Sequence, residues 1–409
     1  MRTESLQSIE TAPSWLVGGE VLTPAGDWAR VSVGIQGQRI VAIQAEPERD
    51  GQRVDLKGAR LVPGLIETHI HGVGHDDVMD ADDEGLRRIA EQLPRHGITA
   101  WCPTTVACPS ETLEKILNVV SRAQKHCVTR ACEAQPWAGA DILGAHLESN
   151  FLSPRYKGAQ PEAWLRRPDE AQDLRALIRT WSDAIQIVTL APELPGAIAL
   201  IQELVEAGIT VAVGHSDATY HQVADAVAAG ARRITHLCNA QRGFHHREPG
   251  VLGAGLVMDD LFAEIIADLH HVHPAGLEIA RRCKGPRRLM LVSDSLRGTG
   301  LPPGEYELGG QQTILDGEVA RLADGTIAGS TITLDRALAT MTTRTETTWA
   351  DAFGMASAVP AESLGLKDRG AIAPGMLADL AIFAENSALC LGTLVKGRWA
   401  YGPKAPLFK

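Results

Sequence analysis

The sequence predicts a (β/α)8 barrel with a small β domain made from both chain ends, and three observations predict it. Apolar runs of a few residues alternate with helix-like segments through the middle of the chain, the texture of repeated βα units around a parallel sheet. Eight such runs occur, and strand-like text broken by Gly and Pro returns at both ends. A length of 409 residues suits two domains or one large one with a sizeable core.

The elements follow in order. From Ser14 to Val62, WLVGGEVL, ARVSVGI, RIVAIQA and RLVP read as short antiparallel strands. The eight barrel runs are LVPGLIETHIH, ITAWCPTTV, DILGAHLES, AIQIVTLAPE, ITVAVGHSD, RRITHLCNA, FAEIIADLHHV and RLMLVSDS. Helices such as DEGLRRIAEQ, SETLEKILNVVSRAQ, PGAIALIQELVEAG and ATYHQVADAVAAG intervene, several ending at Gly as a C-terminal cap does. After the eighth run, EYELGGQQTILDGEVARLADGTIAGS reads as a hairpin followed by a turn, and closing helices come next. Past Pro374-Gly375, ADLAIF and TLVKGRWAY are again strand-like. The expected division is a small β domain from 1–62 and 370–409 and a barrel from 63–369. An open doubly wound sheet is the alternative reading of the same alternation.

Composition excludes several classes. With 44% hydrophobic and 22% charged residues and no long apolar run, the chain is neither disordered nor membrane-spanning. A net charge of −11, no basic stripe and only 4% aromatics argue against nucleic acid as a partner. Any anionic ligand must then be held by a few placed cations. Seven cysteines without CxxC spacing read as reduced thiols, and the N-terminal stretch MRTESLQSIETAPSWLVGG lacks an apolar signal core, so a cytoplasmic location is expected.

Ionisable residues gather where a barrel assembles its site, at the C-terminal ends of the strands. Run one ends in His69 and His71, run three in His146 and Glu148, run five in His215, run six in His236, run seven in Asp268, His270 and His271, and run eight in Asp294. A lone His there is usually a hydrogen-bonded core residue, and a lone Asp a helix cap. Unrelated structural residues have no reason to converge on one rim. His69-Ile70-His71 puts two imidazoles on one strand face, and a carboxylate from run three with histidines from runs five and six completes a mixed N/O set suited to divalent zinc or iron. Such an ion lowers the pKa of a bound water from about 15.7 toward about 7 and polarises a carbonyl, which makes amide hydrolysis feasible at neutral pH. Asp294 is the candidate to take the water proton and pass it to the leaving nitrogen.

The chain resembles the amidohydrolase superfamily and, within it, the N-acetylglucosamine-6-phosphate deacetylase family, over essentially its full length. The matching text is PGLIETHIHG (63–72), HLES and KGAQ (146–149 and 157–160), TLAPE (189–193), GHSDAT (214–219), THLCNA (235–240), REPG (247–250), IADLHHVHP (266–274), LVSD (291–294), AGSTITL (328–334) and the terminal IAPGMLADLAIF. The resemblance implies a metal-dependent amidohydrolase barrel with a β-sandwich from both termini. It implies Glu148, His215 and His236 as ligands of the main metal, His69 and His71 as holders of a second bridged by Glu148, and thus one or two ions per subunit. Asp294 would be general base and acid, and His271 would polarise the amide carbonyl. Asn239, Ala240, Ala159, Gln160 and Ala328, Gly329 and Ser330 would meet the sugar. Arg247 would meet the phosphate, in this family sometimes across a homodimer interface. The implied reaction converts N-acetylglucosamine 6-phosphate to glucosamine 6-phosphate and acetate.

Two features discriminate further. Dihydroorotase and hydantoinase types bridge two metals with a carboxylated Lys from the fourth strand, and AIQIVTLAPE has no Lys. The departures from the family text lie on the substrate side: Ser149-Asn150 for Gly-Pro, Gln160 where some members have His, and Gln241 for Met. The alternatives are therefore an amidohydrolase acting on another N-acyl amino sugar, such as N-acetylgalactosamine 6-phosphate or an unphosphorylated sugar, and a barrel without catalysis that serves in binding.

Overall fold

A computed structural model describes residues 14–46, 51–129 and 139–402. Most of the N-terminal stretch read for a signal, the outer ends of the expected β domain and Cys132 lie outside these residues, as does the side chain of Cys127. The other five cysteines are free thiols, with Cys102, Cys108 and Cys390 buried and Cys238 and Cys283 exposed.

Among the described residues, eight parallel strands follow one another around the barrel. They are β1 (Leu65–Ile70), β2 (Ile98–Thr105), β3 (Ala145–Glu148), β4 (Ile185–Leu190), β5 (Thr210–Val213), β6 (Arg233–Ile234), β7 (Phe262–Ile266) and β8 (Leu289–Val292). Neighbours pair in register, for example Val188 with Val211 and Ile266 with Val292. The ring nearly closes where Ile70, ending β1, bridges Ser295 just past β8. Helices α1 (Asp83–Gln92), α2 (Ser110–Thr129), α3 (Gln172–Thr180), α4 (Ala197–Glu206), α5 (Tyr220–Ala229), α6 (Gly250–Val257), α7 (Pro274–Lys284) and α8 (Leu334–Arg344) follow the strands in turn. The fold is thus the (β/α)8 barrel, and the doubly wound alternative is excluded.

Local chemistry explains the element ends. Asp82 caps α1 by accepting from the Glu84 and Gly85 amides, and Thr219 with Gln222 forms a reciprocal capping box on α5. Gly230 ends α5 at φ 114°, a conformation that costs any side chain. The strands are apolar throughout because helices cover the barrel outside and side chains fill it inside: all eight residues of β2 are buried.

One element differs from expectation. The segment after β8 is a four-stranded antiparallel meander, β9 (Gly304–Leu308), β10 (Gln311–Asp316), β11 (Val319–Arg321) and β12 (Ile327–Ser330), where the sequence suggested a hairpin followed by a turn. Gly309-Gly310, Asp316-Gly317 and Asp324-Gly325 each supply the positive φ of a tight turn, so the text carries three turns. The meander leans on the barrel mouth, where Gln311 Nε2 donates to the Ala159 carbonyl at 2.6 Å.

Strands from both ends of the chain form the β-sandwich. Arg60–Pro63 pairs antiparallel with Leu380–Phe383, and one apolar cluster joins Leu16, Val33, Ile40 and Leu61 to Leu380 and Leu394. A buried charge network ties this layer to the barrel: Arg369 spans Asp141 and Asp379, and Lys396 Nζ meets Asp141 at 2.6 Å.

Lys284, ending α7, is buried and donates to the Met258 carbonyl at 2.7 Å. Burial pushes its ammonium down to about 8. An unfolded Lys titrates near about 10.4, so between these values the unfolded chain binds more protons and stability rises with pH. Urea unfolding from pH 8 to 10.5 should therefore show wild type gaining on Lys284→Met. No relative gain would mean that water reaches the ammonium in the folded protein.

Candidate metal centre

Because all eight strands run parallel, their C-terminal ends share one rim, and the sequence-selected residues stand on it. Three of them follow their strands in the left-handed region: His215 at φ 47°, His236 at φ 28° and Asp294 at φ 50°. Such backbone is unfavourable for side-chain-bearing residues and persists only where surrounding contacts hold it. The Ser153 amide holds the His215 carbonyl at 2.8 Å, and the Ser330 amide holds that of Asp294 at 2.7 Å. Each turn aims a side chain into the barrel mouth.

Glu148, His215 and His236 meet at the centre. Glu148 Oε1 lies 2.8 Å from His215 Nε2 and 3.0 Å from His236 Nε2, and the two imidazole nitrogens are 3.0 Å apart. Ligands of a tetrahedral ion with bonds of about 2.0–2.1 Å stand about 3.3 Å apart, close to these separations. His69 and His71 stand beside them. His71 Nε2 is 3.1 Å from Asp294 Oδ1 and 3.7 Å from Glu148 Oε2; His69 Nε2 is 3.5 Å from Asp294 Oδ1 and 3.7 Å from Glu148 Oε1.

The residues fit a divalent ion by their tautomers and by an orphaned atom turned to the centre. His71 Nδ1 bonds the Thr104 carbonyl, His215 Nδ1 that of Tyr156, and His69 Nδ1 the Glu264 carboxylate, so all three turn Nε2 to the centre. His69 Nε2 is fully buried with no hydrogen-bond partner, an acceptor that a cation would satisfy. His69/His71/Glu148 and Glu148/His215/His236 are both groupings with one donor atom per residue close together.

Charges favour the ionised acids. Burial pushes Glu148 up, but His215, His236 and His69 outweigh it and hold the carboxyl well below the usual range. Asp294 is also held low: burial opposes, and His69 with His71 prevail. Asp268 accepts from His271 Nδ1 at 2.6 Å, fixing that ring.

His71, Glu148, His215, His236, His271 and Asp294 line a cavity of about 290 Å3 that also takes in Asn239, Ala240, Ala159, Gln160 and Gly329. Gly158, at φ 55° and with His215 Cε1 3.3 Å from where a Cβ would stand, lets its loop approach the imidazole. Gln160 is buried, its Nε2 donating to Glu148 Oε2 and its Oε1 accepting from the Ala107 amide. Ala328 packs with Val106 and Leu308, and Ser330 Oγ donates to the Ser293 carbonyl, so only Gly329 of that trio faces the cavity. Arg247 stands on an exposed loop beside His246, outside the cavity of its own chain. Ser149 and Asn150 do not line it either. Ser149 Oγ bonds the Thr189 carbonyl, and Asn150 Nδ2 those of Cys108 and Trp164, so side-chain hydrogen bonds secure the loop after β3.

Sequence reasoning missed the charged residues inside the strands. Arg233, Glu264 and Glu67 are fully buried beneath the rim, and burial pushes the Glu67 carboxyl up to about 8. The available signal was an acid or Arg inside an apolar run, as in FAEII.

A barrel whose rim presents two carboxylates and four imidazoles to one point defines a metal-type hydrolase. The amidohydrolase family model matches residues 60–400, and the chain belongs to the amidohydrolase family. It is 39% identical to an N-acetylglucosamine-6-phosphate deacetylase of Vibrio furnissii over 88% of both chains. It is 38% identical to an N-acetylgalactosamine-6-phosphate deacetylase of Escherichia coli O157:H7, covering 84% of this chain and 87% of that one. The solved structure of a mutant N-acetyl-D-glucosamine-6-phosphate deacetylase from Mycobacterium smegmatis, in complex with N-acetyl-D-glucosamine 6-phosphate, superposes with a TM-score of 0.86 at 31% identity, covering 95% of this chain and 99% of that one. Among the described residues no helix is long and apolar enough to cross a membrane.

Proposed function

We propose that the chain removes the acetyl group of N-acetylglucosamine 6-phosphate, yielding glucosamine 6-phosphate and acetate. The convergence of Glu148, His215 and His236 with Asp294 3.1 Å from His71 carries this reading. Glu148, His215 and His236 would hold the main ion, zinc or iron, and His69 and His71 a second. When bound, such an ion acidifies water and polarises the acetyl carbonyl.

The side chains divide the remaining work. Asp294, ionised, accepts a proton from the attacking water as its oxygen bonds the acetyl carbon. His271, held through Nδ1 by Asp268 and carrying a proton on each ring nitrogen, hydrogen-bonds through Nε2 to the carbonyl oxygen as negative charge develops there. The carbon–nitrogen bond then breaks, Asp294 returns its proton to the nitrogen, and the acetic acid formed leaves as acetate, its remaining proton passing to the freed amine or to solvent. Asn239, Ala240, Ala159 and Gly329 wall the sugar side. A complete proton-transfer and ligand set has no use in a purely binding barrel.

The phosphate is assigned to Arg247, presented to a neighbouring subunit's cavity in a homodimer, and the location to the cytoplasm. The exposed position of Arg247 fits delivery to a second copy. Arg247→Ala is expected to raise KM by about 10- to 100-fold with kcat little changed, the loss of one charge-assisted hydrogen bond. Steady-state kinetics with N-acetylglucosamine 6-phosphate, its galacto epimer and unphosphorylated N-acetylglucosamine test the whole assignment. Equal kcat/KM with and without phosphate would overturn the role given to Arg247. Preference for the galacto epimer would favour the second reading, which the E. coli relative supports.

A further inference from the structure

Beneath the rim, in the barrel interior, lies a charged layer that the proposed reaction does not use. Glu264 sits in the middle of β7 and is fully buried. An isolated carboxylate there would be strongly disfavoured, so its partners matter. Its Oε2 accepts from His69 Nδ1 at 3.0 Å and from the His236 backbone amide at 3.1 Å. Its Oε1 accepts from Arg233 at 2.6 Å. The same Arg233 nitrogen donates to Thr68 Oγ1 at 2.7 Å, and the other terminal nitrogen to Ser363 Oγ at 2.9 Å. The guanidinium is thereby held from β1, β7 and the helix Ala358–Ser363, and it prevents the Glu264 carboxylate from turning.

We infer that Glu264, braced by Arg233, is a positioning residue that confers divalent-ion affinity on the His69/His71 position; this rests on the two-position reading proposed above. One carboxylate oxygen joins a ring from the second position to the backbone of a ligand in the first, so the two are built against each other. The effect is nevertheless selective. Among the described residues, His71 and His215 take their ring orientation from backbone carbonyls, whereas His69 takes its orientation from a side chain. Removing Glu264 frees His69 to rotate or to carry its proton on Nε2, the atom that must be bare to bind a cation. His71 and His215 keep their carbonyl anchors. At His236, whose ring Nδ1 has no hydrogen-bond partner, only the backbone amide meets Glu264, and in Glu264→Gln the side-chain amide oxygen can still accept from it.

The test is a titration of chelator-stripped protein with Co2+, followed by calorimetry and visible absorption, on wild type, Glu264→Gln and His71→Asn. Wild type is expected to bind two ions, and His71→Asn identifies which step belongs to this position. Glu264→Gln should weaken that step by about 10- to 100-fold and leave the other within about threefold. A purely structural role would instead weaken both steps together with the thermal midpoint, and that result, like two unchanged steps, overturns the inference. A wild type that binds one ion removes the two-position reading, and this role for Glu264 with it. Should Glu264→Gln fail to fold, Glu264→Asp keeps the charge beside Arg233 while shortening the reach to His69, and the same criteria apply.

Discussion

Asp294→Asn is expected to lower kcat by about 10²- to 10⁴-fold, the usual contribution of a positioned proton-transfer group, while the ion at Glu148, His215 and His236 stays bound. The substitution is nearly isosteric. The backbone bonds that shape the turn, from the Asp294 amide to the His69 carbonyl and from the Ser330 amide to the Asp294 carbonyl, involve no side-chain atom and survive. What disappears is the carboxylate that accepts the water proton, for which an amide offers no basic substitute. Because Asp294 Oδ1 also faces both of those imidazoles, metal content must be measured beside the rate. A variant with wild-type metal content and a rate within about threefold of wild type would remove Asp294 from the chemistry.

Glu148→Ala should have the other large effect: loss of the main ion, activity near background, and a less stable apoprotein. Glu148 contacts both His215 and His236, and its second oxygen faces His71 and holds Gln160. Deleting it leaves a buried set of imidazoles without its central negative charge, a change that costs about 3–5 kcal/mol in comparable buried pairs. Metal analysis after dialysis, activity under metal supplementation, and urea unfolding of both apoproteins check the three parts. Retained stoichiometric metal would contradict the first of them.

The fold was legible because its signal is local and repeated. Each βα unit announces itself by an apolar run, a helical period and a Gly or capping residue, and eight repetitions leave little freedom of topology. The meander was read as a hairpin followed by a turn because its third strand has only three residues, too short to show alternation. The rim residues were legible for a related reason. In parallel strands the residue after each apolar run must emerge at the same end, so the positions of His215, His236 and Asp294 follow from counting runs.

The interior of the site was less legible. Nothing in FAEII says that its acid reaches across the barrel to His69, and nothing in KGAQ says that Gln160 turns to Glu148. Those contacts join residues distant in sequence and depend on how strands face each other through the barrel, which no local period encodes. Ala328 and Ser330 make the same point, since neighbours of Gly329 in sequence point away from the cavity that Gly329 lines.

By itself, then, the sequence determined the order of the βα units and the side chains that arrive at the rim, because strand direction and period are properties of short segments. Only the tertiary structure decided which rim side chains face one point, which tautomers they are held in, and which buried charges brace them. Those are properties of distances between segments, and they exist only once the barrel has closed.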